Sequence, residues 1–158
     1  MQIRRMVRED IESISLLWLE MMREHEGRDR HFALAPGNPE SNFREYLEEI
    51  LGKQDAAVYV ADEDGAIVGY VLALILENPG IFELRKYGFI GEMSVAANRR
   101  RHGIGRLLWD RVKGWFRRKG IEVVQLNVSP RNKNGVAFWT SLGFEDFLEI
   151  KWHDLEKE

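Results

Sequence analysis

Two glycines one residue apart, Gly103 and Gly105, close the run Arg100-Arg101-His102-Gly103-Ile104-Gly105 just ahead of a strongly amphipathic segment. Glycines there let the backbone turn tightly, so that several N–H groups point at one place. The start of the following helix adds roughly half a positive charge. Together these make an anion cradle of the kind that takes a pyrophosphate. No Lys-Ser/Thr pair follows, which excludes a Walker A loop, and Leu108 breaks a G-x-G-x-x-G fingerprint. A turn that merely starts a helix would use the same glycines.

The elements that must position this loop are legible on either side. Residues 89–95 are an apolar run, 105–119 place Leu107, Leu108, Val112, Trp115 and Phe116 on one side of a helix, and 123–128 form a buried-type strand. Such a βαβ unit crosses over right-handed and leaves its two strands parallel. Upstream, 2–6 is a short strand, and 11–25 is a helix with Asp10 at its N-cap. The segment 28–40 is a loop, and 42–51 a helix capped by Ser41. Residues 57–61 and 66–76 form a hairpin around Asp62-Glu63-Asp64-Gly65. Downstream come a helix over 134–142, ended by Gly143, and a last strand over 144–152. The order β-α-α-β-β-β-α-β-α-β, without repeat or linker, gives one α/β domain with a mixed sheet over residues 1–158.

Composition removes whole classes. With 44% apolar residues the chain can fill a core, and with no cysteine it has neither disulfides nor a thiol nucleophile. His25, His31, His102 and His153 lack metal-ligand spacing, so no metal is expected. No apolar run is long enough to span a membrane, and a soluble, cytoplasmic protein is expected. From Glu9 to Asp64 there are fifteen acids against five Lys or Arg, whereas Arg99 to Lys119 holds nine bases against Asp110 alone. Such a dipole suits one part that handles anions and another that attracts cations, or simply two solvated helix faces. A net charge of −3 argues against a nucleic-acid partner.

Arg100-x-x-Gly103-x-Gly105 resembles the R/Q-x-x-G-x-G/A motif of the GNAT superfamily of acyl-CoA-dependent N-acetyltransferases. The run Asn132 to Phe144, ending Leu142-Gly143-Phe144, is similar to that family's second CoA segment, and Ile67-Val68-Gly69-Tyr70 to its central hairpin. The resemblance covers nearly the whole chain. It implies a GNAT-like α/β (α+β) fold, a mixed and mostly antiparallel sheet with one parallel, splayed strand pair, flanked by helices. It also implies acetyl-CoA as acyl donor. The amides of Arg101, His102, Gly103, Ile104, Gly105 and Arg106, behind the motif's Arg100, would cradle the pyrophosphate. Met93, Ser94 and Val95 would pair with the pantetheine arm, and Asn132 and Trp139 would contact CoA. Gly91 is a plausible bulge where the strand parts from its neighbour.

On the same resemblance Glu92, beside that bulge, is the candidate base for the acceptor's ammonium, directly or through a water. A partly desolvated carboxylate suits the task. An outward-facing Glu92, or one that only binds the ammonium, is the plain alternative. Many family members carry a tyrosine as proton donor where this chain has Trp139, whose indole is too weak an acid. Ser94, Ser141 through a water, or unaided departure of the thiolate would then serve instead, with Trp139 packing on the pantetheine arm, or the chain is a non-catalytic CoA-binding sensor or scaffold. The partner is an amine acceptor, with a homodimer left open. Glu20, Glu24, Glu26 and Asp29 would favour a cationic acceptor, unless they are a wet helix face, and His25 and His31 are further candidate acceptor ligands.

Overall fold

Most of the sheet is an antiparallel meander. The computed structural model describes residues 1–157 as two compact units, one from Met1 to Asn127 and one from Val128 onward. In the first unit the strands are β1 (Gln2–Arg5), β2 (Ala56–Glu63), β3 (Ala66–Glu77), β4 (Lys86–Val95) and β5 (Val124–Leu126). Its helices are α1 (Ile11–Arg28), α2 (Pro39–Ile50) and α3 (Ile104–Arg118); the second unit holds α4 (Lys133–Ser141). The strand order is β1-β2-β3-β4-β5, antiparallel throughout except for the parallel pair β4–β5. This is the mixed, mostly antiparallel sheet expected from the sequence.

Side-chain alternation assigns the faces. Val58, Val60, Tyr70 and Leu72 join Ile11, Ile14 and Leu17 of α1 and Phe43, Leu47 and Ile50 of α2 in one buried cluster. Their neighbours Tyr59 and Val71 point to the other face, where α3 buries Ile104, Leu108, Val112, Trp115 and Phe116. Gly88 is required on that face, because a Cβ there would stand 2.6 Å from the Phe116 ring. The β2–β3 turn is the two-residue Asp64-Gly65, both left-handed (φ 53° and 91°), which fits the twist of a hairpin.

Three expectations are corrected. Asp10 does not cap α1: its carboxylate takes Arg4 at 2.6 and 2.9 Å and the Val7 amide at 2.8 Å. Helix α2 starts at Pro39 rather than at 42, since proline suits a first turn whose amides lack partners anyway, and Ser41 lies inside the helix. The last strand over 144–152 is absent among the described residues, which run without regular structure from Leu142 to a short 3-10 turn, Leu155–Lys157. A period-two pattern becomes a strand only when a ladder partner completes its hydrogen bonds, and Phe147, Leu148 and Ile150 stay largely exposed.

Candidate active site

Glycine at 91 re-aims everything that follows it. Leu72 pairs with Glu92, but Ala73 pairs with Ile90, so Gly91 is an extra residue in β4 and forms a bulge. Without it Glu92 would share the α3 face with Ile90. With it, Glu92 lies opposite Leu72 and faces α1 and α2. A Cβ on Gly91 would also meet Leu72 Cδ2 at 3.0 Å. The parallel pairing of β4 with β5 covers only Gly88, Phe89 and Ile90. Past the bulge β4 keeps β3 as partner on one edge, and among the described residues no strand pairs with Met93, Ser94 and Val95 on the other.

Glu92 is half-buried, on the face that carries Trp18, Phe43 and Tyr70. The Trp18 indole of α1 lies within reach of its carboxyl, and Trp18 in turn stacks on Phe43 of α2 with ring centroids 4.8 Å apart. Burial pushes the Glu92 carboxyl up to about 7, against the smaller opposing effect of the Trp18 indole. Tyr46 of α2 and Tyr70 of β3 both lie within reach of its charge, and burial, with that charge second, raises both phenols. Ser94, opposite Tyr70, is 7% exposed and donates a long bond of 3.5 Å to the Leu17 carbonyl.

Beyond Val95 the chain makes a 3-10 turn, Ala97–Arg99, and then the glycine loop. Arg101 (φ 64°) and Gly103 (φ 79°) are both left-handed, a form that a glycine adopts freely and an arginine only at some cost. Between them, His102 Nδ1 donates to the Arg100 carbonyl at 2.8 Å. Gly103 is the N-cap of α3, and the first bond back to it comes from the Leu107 amide. Helix geometry leaves the amides of Ile104, Gly105 and Arg106 without an intrahelical acceptor, all pointing one way. A Cβ at Gly103 would meet nothing within 4 Å, so the space above the loop is open. This cradle fits a pyrophosphate.

Arg100 does something the motif did not disclose. Its Nε donates to the Val95 carbonyl at 2.9 Å, and its two terminal nitrogens grip Glu24 of α1 at 2.7 and 3.2 Å. Arg99 pairs with Glu63 of the hairpin. These arginines brace the loop with their side chains, leaving anion contacts to the backbone. Glu24 is held below the usual carboxylate range chiefly by its Arg100 hydrogen bond, and Asp29 pairs with His31 at 2.7 Å. Much of the acidity of α1 is thus matched internally. His25 packs against Phe32, 5.1 Å between centroids, and burial lowers its pKa.

In the second unit, Asn132 caps α4, its side-chain oxygen accepting the Gly135 amide at 3.1 Å. Trp139 belongs to the helix ending. The Phe144 amide reaches the Trp139 carbonyl and the Gly143 amide that of Thr140, a Schellman pair with Gly143 left-handed at 89°. The hydrophobic contact that accompanies such an ending is Trp139 edge-on to Phe144, 5.3 Å between centroids. Leu142-Gly143-Phe144 is thereby explained as helix-stop chemistry, in which Trp139 packs on Phe144. The bulge, the cradle, Glu92 and the end of β4 are thus placed by the first unit, whereas Asn132 and Trp139 are placed by the second. Trp18 as partner of Glu92 and the buried Tyr70 were not anticipated; a tryptophan and a tyrosine on apolar stripes read as ordinary core.

Residues 18–144 match the acetyltransferase (GNAT) family. Among curated proteins, the chain is similar to an uncharacterized N-acetyltransferase of Methanocaldococcus jannaschii, 25% identical over 149 residues. That match takes in 94% of this chain but spans only 62% of the relative's length. Among solved structures, a mutant of a Bacillus halodurans protein aligns with TM-score 0.85 at 24% identity, covering 98% of this chain and 99% of that one. The aminoglycoside N-acetyltransferase AAC(6')-Iy in complex with CoA aligns with TM-score 0.77 at 23% identity, covering 97% and 93%.

Proposed function

Since the chain belongs to the acetyltransferase (GNAT) family, we propose that it is an N-acetyltransferase that acylates a primary amine by direct attack, with acetyl-CoA as donor. The observation that carries this reading is Glu92, pushed up to about 7 at the point where β4 loses its partner β5. A carboxyl poised there is divided between its two forms near neutral pH, as a proton acceptor for an ammonium should be. Glu92 takes that proton, directly or through a water. The amide of Met93 or Ser94 polarises the carbonyl under attack, and the open edge of Met93, Ser94 and Val95 receives the extended arm as an added strand. The loop amides from Arg101 to Arg106 hold the pyrophosphate, with Arg100 as the brace behind them. Acetyl-CoA supplies the thioester: as the C–N bond forms the C–S bond breaks and CoA departs as the thiolate, whose own pKa lets it leave unprotonated, and no metal enters this reading.

Gly103→Asn tests the cradle. Asparagine tolerates the left-handed conformation but fills the space above the loop, so acetyl-CoA affinity should fall about tenfold or more with little loss of stability. Parental affinity in a calorimetric titration would remove the loop from the site.

The acceptor is read as a cationic amine, because similar structures include aminoglycoside N-acetyltransferases and α1 carries Glu20, Glu24 and Glu26. Steering by Glu24 and Asp29 is weakened by their pairing with Arg100 and His31. Thiol release from acetyl-CoA should be measured against a polyamine, an aminoglycoside and a peptide amine. Release with a primary amine is the expected result. Acetyl-CoA binding without release from any of them would favour a non-catalytic sensor, and absence of binding would overturn both readings.

A further inference from the structure

The Tyr70 side chain is 0% exposed, and among the described residues its hydroxyl has no hydrogen-bond partner. A buried hydroxyl without a partner is unusual and costly, and phenylalanine would fill the same ring space without the cost. The ring packs 6.3 Å from Phe43, the same ring that stacks on Trp18. Tyr70 stands opposite Ser94 and Leu72 opposite Glu92, so on one sheet face Tyr70 and Glu92 are diagonal neighbours. The groups that face Glu92 are few: the Trp18 indole from α1, the Tyr46 phenol from α2 and the Tyr70 phenol from β3. Tyr46 also feels Asp55 and Glu49, whereas among the described residues Glu92 is the charge that acts on Tyr70.

We propose that the Tyr70 hydroxyl positions the proton of the reaction: it donates its unused hydrogen bond to the Glu92 carboxylate, directly or through one water, once that carboxyl has ionised. The hydroxyl is then unsatisfied only while Glu92 holds a proton. Each ionisation of Glu92 gains a donor in a place where water has little access, which keeps the group able to cycle near neutral pH. Tyr70 acts through Glu92 and touches neither substrate. The inference rests on the reading of Glu92 as the base.

Tyr70→Phe tests it, with Tyr46→Phe as comparator and two readouts. One is the rising limb of kcat against pH; the other is the pH dependence of unfolding in urea, which needs no catalysis. Loss of a hydrogen bond to a charged group should move both transitions up by about one pH unit in Tyr70→Phe and leave both in place in Tyr46→Phe. If the unfolding profile of Tyr70→Phe superimposes on the parent, or Tyr46→Phe produces the same shift, the proposal is overturned. If Glu92→Gln keeps the rising limb of kcat, the base reading fails, while the unfolding profile still decides whether Tyr70 serves Glu92.

Discussion

Replacing Glu92 with Gln should lower kcat about 10²-fold or more while leaving acetyl-CoA affinity nearly unchanged, because the cradle lies on a different segment. The parental kcat should rise with pH through about 7, where the buried carboxyl ionises, and the variant should have lost that limb. The same group must also appear in stability. Its folded pKa is raised above the ordinary 4.5, so between pH 4.5 and about 7 the folded chain holds a proton that the unfolded chain has released. Stability therefore falls as pH rises through that window, by about 3 kcal/mol in all, and is flat above it. Glu92→Gln should flatten the slope. Urea unfolding at pH 5, 6, 7 and 8 measures it. Parallel profiles for parent and variant, or parental turnover in the variant, would remove Glu92 from the centre of the site.

How far the sequence reached depends on whether the deciding partner was local. The bulge at Gly91 was legible because the family resemblance implies one in this strand and a strand glycine can supply it, although a glycine three residues earlier, Gly88, serves close packing instead. The cradle was legible because its left-handed glycine and the following helix are neighbours in the chain. Asp10 was misread because an aspartate before an apolar stripe has the local signature of an N-cap, and nothing nearby shows that Arg4, itself bonded to Asp62 of β2, reaches it from β1. Ser41 failed likewise, since Pro39 offered an earlier start of the helix.

The final strand shows the limit of periodicity. Leu148, Ile150 and Trp152 alternate with Glu149, Lys151 and His153, which is the pattern of a half-buried strand. Pattern states only which face would be buried; the ladder needs a neighbour in register, and that neighbour is a property of the fold. Trp139 illustrates the converse. Compared with the tyrosine of many relatives it looked like a missing acid, but the contact with Phe144 across a Schellman ending gives it a physical role of its own. The chemistry near Glu92 was half visible: the carboxylate could be named, whereas the burial that raises its pKa depends on an enclosure assembled from separate elements, which leaves no mark on any one segment.

That enclosure is only as fixed as α1, whose start is held by a buried ion pair, and the second large effect is expected there. Asp10 is 6% exposed; burial would raise its pKa, but the Arg4 hydrogen bonds, with the Val7 amide behind them, outweigh burial and hold it below the usual carboxylate range. Arg4 also reaches Asp62 Oδ2 from Nε at 3.0 Å, tying β1 to the hairpin and to the first turn of α1. Arg4→Met keeps the apolar stem and removes the charge, leaving Asp10 buried with one amide for company. Breaking such a pair from one side should cost about 3 kcal/mol at pH 7, at the low end of the usual range because Arg4 is partly exposed. The pH dependence identifies the cause. The Asp10 pKa is depressed in the parent, so this stabilisation is present above its ordinary pKa of 3.8 and lost as pH falls through the folded value. In the variant burial dominates and the pKa rises, so protonation relieves the unpaired charge as pH falls through the raised value, and the deficit should already be smaller at pH 4. Adding Asp10→Asn to Arg4→Met should recover part of the loss at pH 7, since a neutral side chain no longer needs the guanidinium. Urea unfolding of the three proteins at pH 7 and pH 4 reads all of this. A deficit that stays the same at both pH values would mean that Arg4 acts through packing alone, and the ion pair would not be what holds the start of α1.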